Sequence, residues 1–159
     1  MIILLMGVSG SGKTTLGEAL ARHLGWRFMD ADDFHPPENV AKMAAGTPLQ
    51  DADRWPWLDR LNAELKAQDN VVLACSALKH AYRKRLLAGV ERSLVIYLRA
   101  PIELIRKRLE TRPHRYMPAS LLQSQFQTLE APTRALALDV SGSIDDTLAE
   151  LKRLIKDSV

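Results

Sequence analysis

The sequence predicts a doubly wound α/β domain, a parallel five-stranded sheet with helices on both faces. Three observations carry that expectation. The chain opens on a continuously apolar run, Met1 to Met6, which suits a strand buried on both sides. Further short runs of this kind recur, each separated from the next by a stretch with helical periodicity. No repeat, low-complexity tract or linker interrupts the 159 residues, a length that one domain fills. In such a sheet the crossovers are right-handed and ligands gather at the carboxyl ends of the strands.

The elements follow in order. After the first strand a glycine-rich turn feeds a helix with Leu16, Leu20 and Leu24 at four-residue spacing, stopped by Gly25. Trp26 to Asp30 is the second strand, followed by Ala31-Asp32-Asp33-Phe34-His35-Pro36. Pro37 suits the first turn of a helix to about Ala45, closed by Gly46. Asp51 or Asp53 caps a third helix that lays Trp57, Leu58, Leu61 and Leu65 on one face. Val71 to Ala74 is the third strand, leading through Cys75-Ser76-Ala77-Leu78-Lys79 into a basic helix to about Leu87. Leu94 to Leu98 is the fourth strand, and Pro101 opens a helix with Ile102, Ile105 and Leu109 inward. Two prolines break the periodicity between Arg112 and Pro118, which reads as a mobile loop. A helix with Leu121, Leu122, Gln125, Phe126 and Leu129 precedes the fifth strand, Ala135 to Val140. Ser143 caps the last helix, with Leu148, Leu151 and Ile155 inward. The expected organisation is a single domain over 1–159, with a substrate-binding helical segment over about 34–68 and a lid over about 110–120.

Composition excludes several classes. A hydrophobic fraction of 47% and a charged fraction of 26% are those of a soluble globular chain. No apolar run approaches the roughly 20 residues of a membrane span, so no membrane partner is expected. The first strand begins at residue 1 with no basic leader, so no export signal is read. Cys75 is the only cysteine, which fits a reducing, cytoplasmic setting. The net charge of +3 is mild, and its two basic segments, Lys79 to Arg85 and Arg99 to Arg115, offer only Tyr82 and the adjoining Tyr116 as aromatics. That argues against nucleic acid and for a small anionic substrate beside a polyphosphate.

Gly7-Val8-Ser9-Gly10-Ser11-Gly12-Lys13-Thr14 fits the phosphate-loop pattern G-x-x-x-x-G-K-[ST] between a strand and a helix. Glycines let successive N–H groups turn inward on an anion, and the helix start adds its positive dipole end. Gly7, Ser9, Gly10, Ser11, Gly12, Lys13, Thr14 and Thr15 are therefore expected to hold a nucleoside triphosphate. Lys13 can reach the β- and γ-phosphates, and the Thr14 hydroxyl can ligate Mg²⁺. Asp30 and Asp32, two apart on an extended strand end, point the same way, one toward the metal and one toward a hydroxyl whose proton it accepts. The third strand ends in Cys75-Ser76 where many such proteins place an acidic metal ligand, so the metal leans on Thr14 and Asp30, with Ser76 nearby. His35, Lys42, Arg54, Ser76, Lys79 and Arg83 border the strand ends as substrate contacts, together with Asp32. Arg108 and Arg112 are lid cations for the phosphates, with Arg112 in a catalytic role beside Asp32 and Lys13. Cys75 reads as a buried small hydrophobe, with no histidine partner to make it a nucleophile.

With these residues in view, the chain resembles the gluconate kinases, small P-loop metabolite kinases. The resemblance rests on the phosphate loop, Asp30-Ala31-Asp32 with His35-Pro36, Asn39 to Lys42-Met43, and Gly46-Thr47-Pro48-Leu49 with Asp51 to Trp57-Leu58. It continues in Cys75-Ser76-Ala77-Leu78-Lys79 with Tyr82-Arg83, and in Gln125-Phe126 with Leu129-Glu130. It implies a three-layer P-loop NTPase sandwich of the nucleoside and shikimate kinase type. It also implies ATP-dependent phosphorylation of D-gluconate at its 6-hydroxyl, and homodimers. Asp33-Phe34 and the lid segment Arg112-Pro113-His114-Arg115-Tyr116 depart from the family's usual residues. The alternative is a shikimate kinase or another small-metabolite kinase. Shikimate kinases carry Gly-Gly-Gly after the third strand, where this chain has Cys-Ser-Ala. A GTP-binding switch would need an Asn-Lys-x-Asp segment, which the sequence lacks.

Overall fold

The computed structural model describes residues 1–111 and 119–159. Five parallel strands, β1 (Ile2–Met6), β2 (Arg27–Asp30), β3 (Val71–Ala74), β4 (Ser93–Arg99) and β5 (Leu136–Asp139), form one sheet in the order β2-β3-β1-β4-β5. The central strand β1 pairs Leu4 with Leu73 on one side and with Val95 on the other. Every residue of β1 and β3 is buried, whereas the edge strands β2 and β5 bury one residue each.

Alternation along β1 divides the core in two. Ile2, Leu4 and Met6 pack with Trp57, Leu58, Leu61 and Leu65 of α3 (Asp51–Lys66) and with Tyr82 and Leu86 of α4 (His80–Leu86). Ile3 and Leu5 pack on the opposite face with Leu16 and Leu20 of α1 (Lys13–Leu24) and Leu151 and Ile155 of α7 (Ile144–Ile155). A third cluster, Val8, Leu78, Ile105, Leu109 and Leu122, seats the loop after β1 against α5 (Ile102–Glu110) and α6 (Ala119–Thr128). Helix α2 (Pro37–Ala44) lies between β2 and α3 in the chain.

Two local expectations are corrected. The cap of α3 is Gln50, and Asp53 sits at the third helical position, accepting from the Gln50 N–H at 2.8 Å to close a capping box. The chain after β2 does not stay extended. Ala31–Phe34 forms a 3₁₀ turn capped by Asp30, so Asp30 and Asp32 are set by a turn and not by strand alternation. Of the lid expected over about 110–120, Arg112 to Pro118 lie outside the described residues.

Candidate active site

Three chain segments meet at the carboxyl ends of β1, β2 and β3. The loop after β1 turns at Gly7 (φ 154°) and Gly12 (φ 95°). A methyl group at Gly7 would sit 2.8 Å from the Leu98 carbonyl oxygen and 2.9 Å from Ser11 Oγ, so only glycine fits there. Helix α1 starts at Lys13 with no side chain capping it and no acid in its first turn, unlike α3 and α7. Its first N–H groups and dipole are thus available to an outside anion. Ser11 Oγ is buried without a hydrogen-bond partner among the described residues. These features suit a phosphate chain. The Lys13 ammonium donates to the Gly7 and Val8 carbonyl oxygens, both at 2.9 Å, and so lies within its own loop. Thr15 is exposed on the helix surface.

Asp30 joins the second segment to the first. One carboxylate oxygen accepts from the Thr14 hydroxyl at 2.9 Å and the other from the Asp32 backbone N–H at 3.0 Å. Two hard oxygen donors side by side suit Mg²⁺, which keeps several waters and takes phosphate oxygens as well. Among the described residues no three His, Cys, Asp or Glu side chains gather as a fuller metal cage. Asp32 is exposed and His35 buried, with Asp32 Oδ1 3.8 Å from His35 Nε2. The His35 ring stacks on Trp57 at 4.0 Å and 16°, and Trp57 Nε1 donates to the Ala31 carbonyl at 2.7 Å. Burial, aided by the Arg54 charge, lowers the His35 pKa to about 4, so the imidazole is neutral at physiological pH.

Helices α2 and α3 and the segment after β3 together supply cations. Arg54 donates to the Leu49 carbonyl at 2.6 Å and to the Tyr82 hydroxyl at 3.0 Å, with its guanidinium 4.9 Å from the Tyr82 ring centre. Tyr82 donates a short hydrogen bond to Asp51, and Lys79 reaches the same carboxylate at 3.4 Å. Lys42 pairs with both oxygens of Asp53 at 2.9 Å. Ser76 sits beside the loop, its carbonyl accepting from the Gly7 N–H at 3.3 Å. The buried thiol of Cys75 has its pKa pushed up to about 12, chiefly by burial and then by the Asp32 charge, with Lys13 acting the other way. It is therefore held as a buried thiol and not a thiolate at neutral pH.

Two expected contacts have other partners. Arg83 is buried, and its guanidinium donates to the carbonyls of Ala77 (2.8 Å), Leu78 (3.2 Å) and Glu130 (2.9 Å). Its donors stitch the segment after β3 to the segment after α6. Arg108 donates to the Val140 and Gly142 carbonyls, holding α5 to the chain between β5 and α7, and not to the phosphate loop. Residues given no role on sequence grounds enter the site as well. Gln125 clasps Ser9, accepting from its N–H at 2.8 Å and donating to its Oγ at 3.1 Å. Asn39 bridges His35 and the Asp53 carbonyl. Their signal in the sequence was a polar side chain on an otherwise amphipathic helix, which becomes specific only once the helix is placed.

Comparison with known proteins adds independent findings. The shikimate kinase family model matches residues 9–148. A probable gluconokinase of Xenopus tropicalis is 45% identical over 174 aligned positions, covering 96% of this chain and 92% of that protein. A gluconokinase of Gluconobacter oxydans is 46% identical over 134 positions, covering 82% and 75%. The crystal structure of a gluconokinase from Sinorhizobium meliloti superposes with a TM-score of 0.86 at 41% identity, over 98% of this chain and 93% of that one.

Proposed function

The chain belongs to the shikimate kinase family and, within it, to the gluconokinases, and from that premise we propose that it transfers the γ-phosphoryl group of ATP to the 6-hydroxyl of D-gluconate, giving 6-phosphogluconate and ADP. The observation that carries the reading is the Asp30 carboxylate, which bolts Asp32 to the phosphate loop through Thr14. In this reading the Asp32 carboxylate, its backbone tied to the loop in this way, meets the alcohol that approaches a bound triphosphate.

In the proposed mechanism the loop amides and the start of α1 grip the phosphates, and Lys13 turns from its carbonyls to the transferred group. Mg²⁺, held by Thr14 and Asp30, would supply charge neutralisation on the phosphate oxygens. Asp32 orients the 6-hydroxyl and accepts its proton as the oxygen attacks in line. Arg54 and Lys79 hold the carboxylate end of the sugar acid. What supports this is that Lys79 and the Tyr82 hydroxyl both bind Asp51, while Arg54 donates to that same Tyr82 hydroxyl. Arg112, outside the described residues, is the proposed cation over the phosphoryl group.

An ATP-consumption assay across gluconate, shikimate and nucleoside monophosphates tests the reading. Turnover above background with gluconate alone is expected, and none with gluconate would sink it. Asp32→Asn should remove most of kcat, on the order of 10²-fold or more, while leaving ATP affinity intact. A fully active Asp32→Asn enzyme would exclude that residue as the base. Homodimer assembly is part of the same proposal and is read by sedimentation.

A further inference from the structure

A chain of polar groups runs from the first turn of α3 to Asp32 and fixes a proton. The Asp53 backbone carbonyl can only accept a hydrogen bond, and the Asn39 side-chain nitrogen lies 2.9 Å from it. That corner of the amide is therefore its NH₂ group. The same nitrogen lies 3.2 Å from His35 Nδ1. An amide NH₂ has two hydrogens and no lone pair to offer, so one hydrogen goes to each neighbour and Nδ1 is the acceptor. In a neutral imidazole the proton then resides on Nε2, the atom that faces Asp32 Oδ1 at 3.8 Å.

The surroundings hold this arrangement. Asn39 is 2% exposed and the His35 side chain 3%. A flipped imidazole would present carbon to Asn39, and the Trp57 ring stacked beneath is itself pinned to Ala31. Protonating Nδ1 would break its bond to Asn39, and burial and the Arg54 charge disfavour the charged ring as well.

We propose that Asn39 is a positioning residue that, through the tautomer of His35, presents an N–H at Nε2 to the alcohol oxygen held by Asp32. This rests on Asp32 receiving the substrate hydroxyl. The 3.8 Å spacing is too long for a direct bond between the two side chains, but a hydroxyl oxygen can lie at hydrogen-bond length from both. The hydroxyl then gives its proton to Asp32 while its lone pair accepts from His35. With the opposite tautomer, Nε2 would be a lone pair competing with Asp32 for that proton, and the hydroxyl would adopt two orientations. The N–H also donates to the oxygen as negative charge develops on it.

Two measurements test this. ¹⁵N NMR of the imidazole, assigned with His35→Gln, reads which nitrogen carries the proton in the wild-type enzyme. Protonated Nε2 with bare Nδ1 is expected, and a protonated Nδ1 overturns the proposal. In kinetics, Asn39→Asp replaces the donor by acceptors and should lower kcat at least about tenfold with little change in KM for ATP. His35→Gln offers an N–H that needs no tautomer, so in that background the Asn39→Asp loss should shrink to less than about twofold. The same loss in both backgrounds means that Asn39 merely supports the fold, and the relay is wrong. If Asn39→Asp does not fold, the wild-type spectrum still decides the tautomer. Absence of gluconate turnover in the wild-type enzyme strikes the proposed function instead, leaving the spectrum to judge Asn39 by itself.

Discussion

His35 shows how burial turns a surface-type residue into a pH-dependent load on the fold. Its imidazole is stacked, buried and neutral, with a native pKa of about 4 against an ordinary value of 6.5. The unfolded chain therefore binds a proton more readily than the folded one. The stability that rests on neutral His35 is complete above pH 6.5, falls as pH drops toward 4, and is gone below that. At about 1.4 kcal/mol per unit, wild type should lose about 2 kcal/mol by pH 5 relative to a His35→Gln variant. Urea unfolding of both proteins at pH 7.5 and pH 5 checks this. Parallel losses would mean that other groups carry the acid sensitivity.

Among the elements, α4 was legible as a helix, but the partners of one of its arginines were not. Arg83 falls in a basic run that looks like a charged wall for an anion. Its guanidinium donates to three carbonyls, one of them from Ala77, whose φ of 44° is strained for a residue with a side chain. Arg83→Ala leaves those carbonyls short of donors and should destabilise the protein by at least about 2 kcal/mol. Its KM for gluconate should stay within about twofold at a temperature where the variant remains folded. A large rise in KM without loss of stability would restore the substrate role. The same lesson applies to the cap of α3. Asp51 and Asp53 carried the usual cap signal, but Gln50 took the position because Asp53 reaches back to its N–H. Strands were more legible than caps. Val71 to Ala74 could be read to the residue because a strand buried on both faces is apolar at every position. The 3₁₀ turn at Ala31–Phe34 left no such mark, since one turn has no period to detect.

At the scale of the whole molecule, the fold class and the phosphate loop were open to reading because both rest on local pattern: apolar runs at strand length and glycines at fixed spacing. Partner choice across the sheet was not. Whether Arg54 meets Tyr82, or Gln125 meets Ser9, depends on residues 28 and 116 positions apart being folded side by side. Asp30 and Thr14 were the exception: β3 lies between β1 and β2 in the sheet, but both residues sit at the carboxyl end of the strands, where such a fold gathers its ligand-binding groups.

Cys75, sealed at the end of β3 and held as a thiol, gives the protein an internal clock for opening. Alkylating reagents attack thiolates, so the folded protein should resist iodoacetamide at pH 8 for as long as its centre stays shut, and labelling should track the rate at which the sheet parts. Because the sequence contains no other sulfhydryl, a reporter introduced at any outer position would be tagged without background. Prompt modification of the native enzyme would show that the strand ends breathe far more often than their packing implies.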